Sequence, residues 1–125
     1  GQDISDRVLQ FAAQPPHFDL AKSRDTYGPL GPTLVSPDMF DDPTDLGIRC
    51  AINGELRQDS RTSNLVFSIA DLIAYLSSIM TLSPGDIIFT GTPAGVGGSA
   101  GKFLRPGDVI TSEVDGIGSL TNLCV

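Results

Sequence analysis

Basic residues, histidine and cysteine are scarce in this chain. Lysine and arginine number eight against fifteen acids, a formal net charge of -7, and the eight are scattered singly. They make no patch for a phosphate backbone, so nucleic acid is excluded as a partner and an anionic small molecule has to be held by a few placed cations. The one histidine, His17, follows Pro15-Pro16 and reads as a surface residue instead of a base. Cys50 and Cys124 both fall in segments that read as strands and share no zinc or redox spacing. They read as buried thiols in a reducing, cytoplasmic setting. No apolar run approaches the roughly 18 residues of a membrane span and no signal peptide opens the chain, so no membrane is implied.

What is present is an ordinary globular composition, 40% hydrophobic and 18% charged over 125 residues. One domain of this length is expected to bury roughly 65% of its unfolded surface and to own a core. The stretch Ser83-Pro84-Gly85-Asp86-Ile87-Ile88-Phe89-Thr90-Gly91-Thr92-Pro93-Ala94-Gly95-Val96-Gly97 organises the rest. A Pro-Gly turn feeds a short β-branched strand over Ile87 to Phe89, which stops in a loop of small hydroxyl, glycine and proline residues. Glycines there let backbone amides approach a ligand, and Thr90 and Thr92 add hydroxyl donors. A plain surface turn is the alternative reading of the same residues.

Local signals place the other elements. Ser5 reads as the N-cap of a short helix through Arg7, Val8 and Gln10. Thr33 to Val35 reads as a short strand, and the acids from Asp38 to Asp45 as a solvated loop lacking the ligand spacing of a calcium site. Leu46, Ile48, Cys50 and Ile52 alternate as a half-buried strand, Asn53-Gly54 turns it, and Glu55 to Gln58 returns. Ser68 caps a helix over about residues 69–80, with Ile69, Leu72, Ile73, Leu76 and Ile79 on one apolar face for packing. Val109 to Val114 and Ile117 to Val125 form a hairpin over Asp115-Gly116. The sum is a β-rich α+β chain with one main helix.

Asp86 to Gly97 resembles the Gly-Asp-x-Ile-x-Thr-Gly-Thr-Pro-x-Gly-Val-Gly pattern of the fumarylacetoacetate hydrolase family. Three more blocks match that family in order: Asp3-Ile4-Ser5-Asp6-Arg7-Val8-Leu9-Gln10, then Ala21-Lys22-Ser23 with Gly31-Pro32, then Asn53-Gly54-Glu55-Leu56-Arg57-Gln58. The resemblance covers nearly the whole chain and corresponds to the C-terminal portion of the family's catalytic domain, so residues 1–125 are expected to be a single partial domain lacking its upstream half. The fold it implies is the mixed β-roll or β-sandwich of the fumarylacetoacetase C-terminal domain.

The resemblance also implies roles. Asp3 is a ligand of a divalent metal, magnesium or manganese. Arg7, Gln10 and Thr92 contact substrate. Lys22 lies at the metal and substrate oxygens as the catalytic cation, and Thr26 matches a position that helps bind the metal in some members. Hydrolysis of a carbon-carbon bond beside a carbonyl in a 2-oxo or 1,3-dicarbonyl acid is the implied activity, of the acylpyruvate or fumarylacetoacetate type met in aromatic catabolism. Oxaloacetate decarboxylation and 2-hydroxyhepta-2,4-diene-1,7-dioate isomerisation are alternatives within the family, and a homodimer or higher homo-oligomer is its usual assembly. The family completes its metal shell with two glutamates one residue apart, and its catalytic histidine lies upstream. The only glutamates here are Glu55 and Glu113. Two readings therefore stand: part of a longer enzyme, or a domain that keeps the fold and acts only by assembly.

Overall fold

The computed structural model describes residues 1–125. Its centre is one antiparallel sheet of β1 (Gly47–Ile52), β2 (Glu55–Arg61), β3 (Val109–Val114) and β4 (Gly118–Leu123), arranged β2-β1-β3-β4. The hairpin between β1 and β2 turns on Asn53 and Gly54, whose φ values of 51° and 80° are the left-handed pair that a two-residue turn demands. The Asn53 amide then stitches that turn to β3, donating to Asp108 Oδ1 at 2.8 Å and accepting from the Val109 N–H at 2.8 Å.

Register sorts the side chains onto two faces. Ile48, Cys50 and Ile52 pair with Val114, Ser112 and Ile110, and Cys50 also opposes Gln58, so these share one face. Arg49, Asp59 and Glu113 share the other, where the Arg49 guanidinium lies 2.8 Å from Asp115, 3.4 Å from Asp59 and 4.0 Å from Glu113. The pairing of β1 with β2 slips by one between Cys50 and Ala51, which leaves Arg57 as the extra residue of a β-bulge. Gln2 meets the first face through Cys50 and Ser112.

The β-rich architecture with one main helix is as expected, but several boundaries move. α1 (Arg7–Gln10) is capped by Asp6, whose carboxylate accepts from Leu9 N at 2.9 Å; Ser5 instead turns its hydroxyl to the Asp3 carbonyl. α2 (Ile69–Ser77) starts at Ser68 as predicted, with Asp71 completing a capping box. It ends three residues before the expected 80, where the Ser77 and Ser78 hydroxyls bond back to Ala74 and Tyr75 carbonyls and loosen the last turn. β2 runs on to Arg61, past the expected Gln58, while β4 stops at Leu123. Thr33 to Val35 and Ile87 to Phe89 join no ladder, because a strand needs a partner and the sheet offers them none.

The expected core is also corrected. Only Gln10, Ala21, Gly47, Cys50 and Ile110 are buried. The accessible surface is 8840 Å², against about 6,400 Å² for a compact protein of this mass. The apolar face of α2 is only partly covered: Ile69 is 47% and Ile73 45% exposed, while Leu72 and Leu76 are half-buried. No helix is long and apolar enough to cross a membrane.

Candidate functional site

Gln2 fixes the first segment on the sheet. Its backbone N–H donates to Pro29 O at 3.0 Å, and its side-chain amide donates to Ser112 Oγ at 2.5 Å and to Cys50 Sγ at 3.3 Å. Those two acceptors are cross-strand partners on β3 and β1, so the amide spans the middle of the sheet. Four residues on, Asp6 N–H donates to Ala21 O at 2.8 Å, and Ala21 is wholly buried. The segment is thereby laid along the single turn Leu20–Lys22, itself capped by Asp19.

That arrangement brings Asp3 and Lys22 together: the Lys22 ammonium donates to Asp3 Oδ2, with both side chains partly open to solvent. A second pair, Arg24 with Asp6 at 2.8 Å, braces the same strip. The Leu9 N–H foremost, with Arg24 adding, holds the Asp6 carboxyl below its ordinary 3.8. Burial pushes the Cys50 thiol up, against the Gln2 amide, and it stays a neutral structural thiol. Neither cysteine is in a disulfide; Cys50 is buried in β1 and Cys124 half-buried just past β4.

Arg7 and Gln10 meet each other. Gln10 is 1% exposed, and its carbonyl oxygen accepts from Arg7 Nη1 at 2.5 Å. Gln10 thus faces inward and aims the guanidinium, which lies against the tail of the glycine loop: a Cβ added to Gly98 would sit 3.2 Å from Arg7 Nε. Thr26 is exposed, holds φ at 69° and has no side-chain hydrogen bond joining it to Asp3 or Lys22. His17 is exposed as expected.

The loop from Thr90 to Gly97 is clamped by the bulge in β2. Gln58 Nε2 donates to Thr92 Oγ1 at 2.9 Å and to Pro93 O at 2.8 Å. The backbone of Gly95, at φ 104°, lies so close to Arg57 that a Cβ there would be 1.9 Å from its carbonyl oxygen. Only glycine fits that contact. A groove of about 420 Å³ opens beside the loop, walled by Thr90 to Ala94 and by Leu65, Phe67 and Leu72. Sequence reasoning assigned no role to Gln2 or Gln58; Gln58 stood inside a matched block, and a bulge leaves no mark in residue type alone.

The donor set can be tested against a hard cation. No group of three His, Cys, Asp or Glu side chains is arranged to hold a metal ion; the carboxylates of Asp59, Glu113 and Asp115 gather on Arg49 instead, and Asp3 is paired with an ammonium. Magnesium and manganese need about six oxygen ligands, so residues 1–125 do not by themselves fit such an ion; Asp3 can furnish one ligand of a shell.

Residues 1–125 match the family model described as fumarylacetoacetate (FAA) hydrolase, C-terminal. A mitochondrial oxaloacetate tautomerase of Xenopus laevis is 45% identical over 122 residues, which cover 96% of this chain and 38% of that protein. A crystal structure from Mycobacterium smegmatis aligns with a TM-score of 0.93 at 50% identity, covering 100% of this chain and 47% of that one. Maleylpyruvate hydrolase from Sphingobium sp. SYK-6, solved with manganese(II) and pyruvate, aligns with a TM-score of 0.69 at 40% identity over 76% of this chain and 34% of that one. The chain spans less than half the length of these relatives.

Proposed function

Residues 1–125 belong to the fumarylacetoacetate hydrolase family, and from that membership we propose that they form the C-terminal part of a catalytic domain that cleaves a carbon-carbon bond in a 2-oxo or 1,3-dicarbonyl acid. The observation that carries this reading is the Asp3–Lys22 pair held over the sheet by Gln2. It sets a carboxylate suited to a divalent cation beside an ammonium suited to a developing enolate. Magnesium or manganese, when bound, supplies Lewis-acid polarisation of the oxo and carboxylate oxygens, and the related Sphingobium hydrolase carries manganese with pyruvate. Asp3 contributes one ligand, and the others come from outside these 125 residues.

This chain's own residues then bind and stabilise. Arg7, aimed by Gln10, takes a substrate carboxylate as a planar two-donor fork. The Thr92 hydroxyl donates to a second oxygen of the acid. The Lys22 ammonium faces the oxygen that gains charge as the bond breaks and its electron pair stays with the 2-oxo acid half, an electrostatic contribution of the oxyanion kind. A homodimer or higher homo-oligomer is the proposed assembly.

A second reading, tautomerisation of a 2-oxo acid, is favoured by the 45% identity to the Xenopus oxaloacetate tautomerase. It uses the same enolate and omits attack by water. The full-length protein, with magnesium or manganese, is to be assayed on an acylpyruvate panel and on oxaloacetate. Hydrolysis releases two acids; tautomerisation removes the enol absorbance and releases none. Lys22→Met is expected to lower kcat on the order of 10²-fold in either case. Near-normal turnover in that variant, or no turnover by the wild type, refutes the reading.

A further inference from the structure

We propose that Gln58 is a positioning residue that fixes the direction of the Thr92 hydroxyl proton, turning it toward the bound acid; this rests on the functional reading above. Pro93 fixes which way the Gln58 amide faces. Its carbonyl oxygen lies 2.8 Å from a terminal atom of the Gln58 amide, and a carbonyl can only accept, so that atom is the NH2 nitrogen. The same nitrogen lies 2.9 Å from Thr92 Oγ1, and its second proton goes there. Thr92 Oγ1 is therefore an acceptor toward Gln58, and its own proton has to point elsewhere. No acceptor within the chain takes it, and the side chain is exposed beside the groove. The proton is thereby left free for a carboxylate or enolate oxygen of a ligand bound in the groove.

The backbone explains why Gln58 can do this. Arg57 is the extra residue of the bulge, so Gln58 keeps its place opposite Cys50 while Leu56 moves into register with Ala51. The bulge pushes the Arg57 carbonyl against Gly95, which holds the loop at the height where one amide reaches two successive residues, Thr92 and Pro93. Bulges commonly re-aim a side chain beside a site in this way.

The test is a double-mutant cycle in the full-length protein with manganese, read by calorimetric titration of pyruvate, by kcat/KM on the acid panel and by melting temperature. Gln58→Glu replaces the donor by a carboxylate that can only accept, which draws the Thr92 proton toward itself; Gln58→Met keeps the bulk and removes the donor. Each is expected to weaken pyruvate binding roughly tenfold or more, as for loss of a hydrogen bond to a charged group. In a Thr92→Val background the Gln58 substitutions should cost little further, whereas in Thr92→Ser, which keeps the hydroxyl, their full effect should return. A purely structural Gln58 would lower the melting temperature and give the same loss in both backgrounds, and that result overturns the inference. Wild-type protein that binds pyruvate but turns over no acid refutes the functional reading alone, because the cycle is still read from binding. Failure of the wild type both to bind pyruvate and to turn over any acid overturns the two together.

Discussion

Asp3 owes its place to its neighbour more than to its own contact. The Gln2 amide grips Ser112 and Cys50, and the carboxylate that follows is left 40% exposed against Lys22, where an ion pair contributes only about 0–1 kcal/mol to stability. Asp3→Ala in the full-length protein is therefore expected to lower magnesium affinity and turnover together while leaving the melting temperature nearly unchanged. Calorimetric titration of magnesium checks it, and unaltered affinity removes Asp3 from the metal shell. Asp3 and Lys22 come from two matched sequence blocks, and the structure sets them side by side as an ion pair. Gln10 was legible only in part: its block marked it, but whether an amide on a four-residue helix faces in or out depends on Arg7 and on the sheet beneath, which no local pattern encodes.

At the scale of elements, the features read correctly are those whose causes are local. Asn53-Gly54 makes its turn with two residues, and Ser68 with Asp71 makes its cap within one turn of helix. Ile87 to Phe89 had the composition of a strand and lacked the partner, and the face of α2 had the period for packing but has only Leu72 and Leu76 covered in part. Since α2 draws so little from tertiary contact, its cap matters more than usual. Ser68→Ala is expected to cost about 1 kcal/mol, read as faster amide exchange over Ile69–Ser77; equal exchange in both proteins would show that the helix is held by something else. The charged face of the sheet gives a pH dependence. The Arg49 hydrogen bond foremost, with its charge adding, holds the Asp115 carboxyl below 3.8, and Arg61 with Ser63 does the same to Asp45. A carboxyl depressed in the folded state stabilises above its unfolded value and ceases to as the pH falls through the folded one. The melting temperature of the full-length protein should thus decline below 3.8, less steeply in Asp115→Asn; parallel profiles for the two would dismiss the Arg49 contact as a source of stability.

For the whole molecule, the exposed faces decide the behaviour. Twenty-one large apolar side chains are exposed, among them Phe11, Phe67, Ile79 and Phe103, and β2 and β4 leave the sheet with two open edges. Surfaces of this kind invite association. Residues 1–125 expressed alone are expected to associate in solution and to turn over no 2-oxo acid even in millimolar magnesium or manganese, while the full-length protein does so. Light scattering and a parallel assay check it, and metal-dependent cleavage by a monomeric 1–125 would mean that other carboxylates complete the shell. The same molecule also carries a clock. The hydrogen bond from Gln2 to Ser112 joins positions 110 residues apart, and a ribosome adding roughly 5–20 residues per second takes on the order of ten seconds to travel between them. Throughout that interval the strip bearing Asp3 has no β3 to dock on, so the carboxylate is set in place only once the third strand arrives.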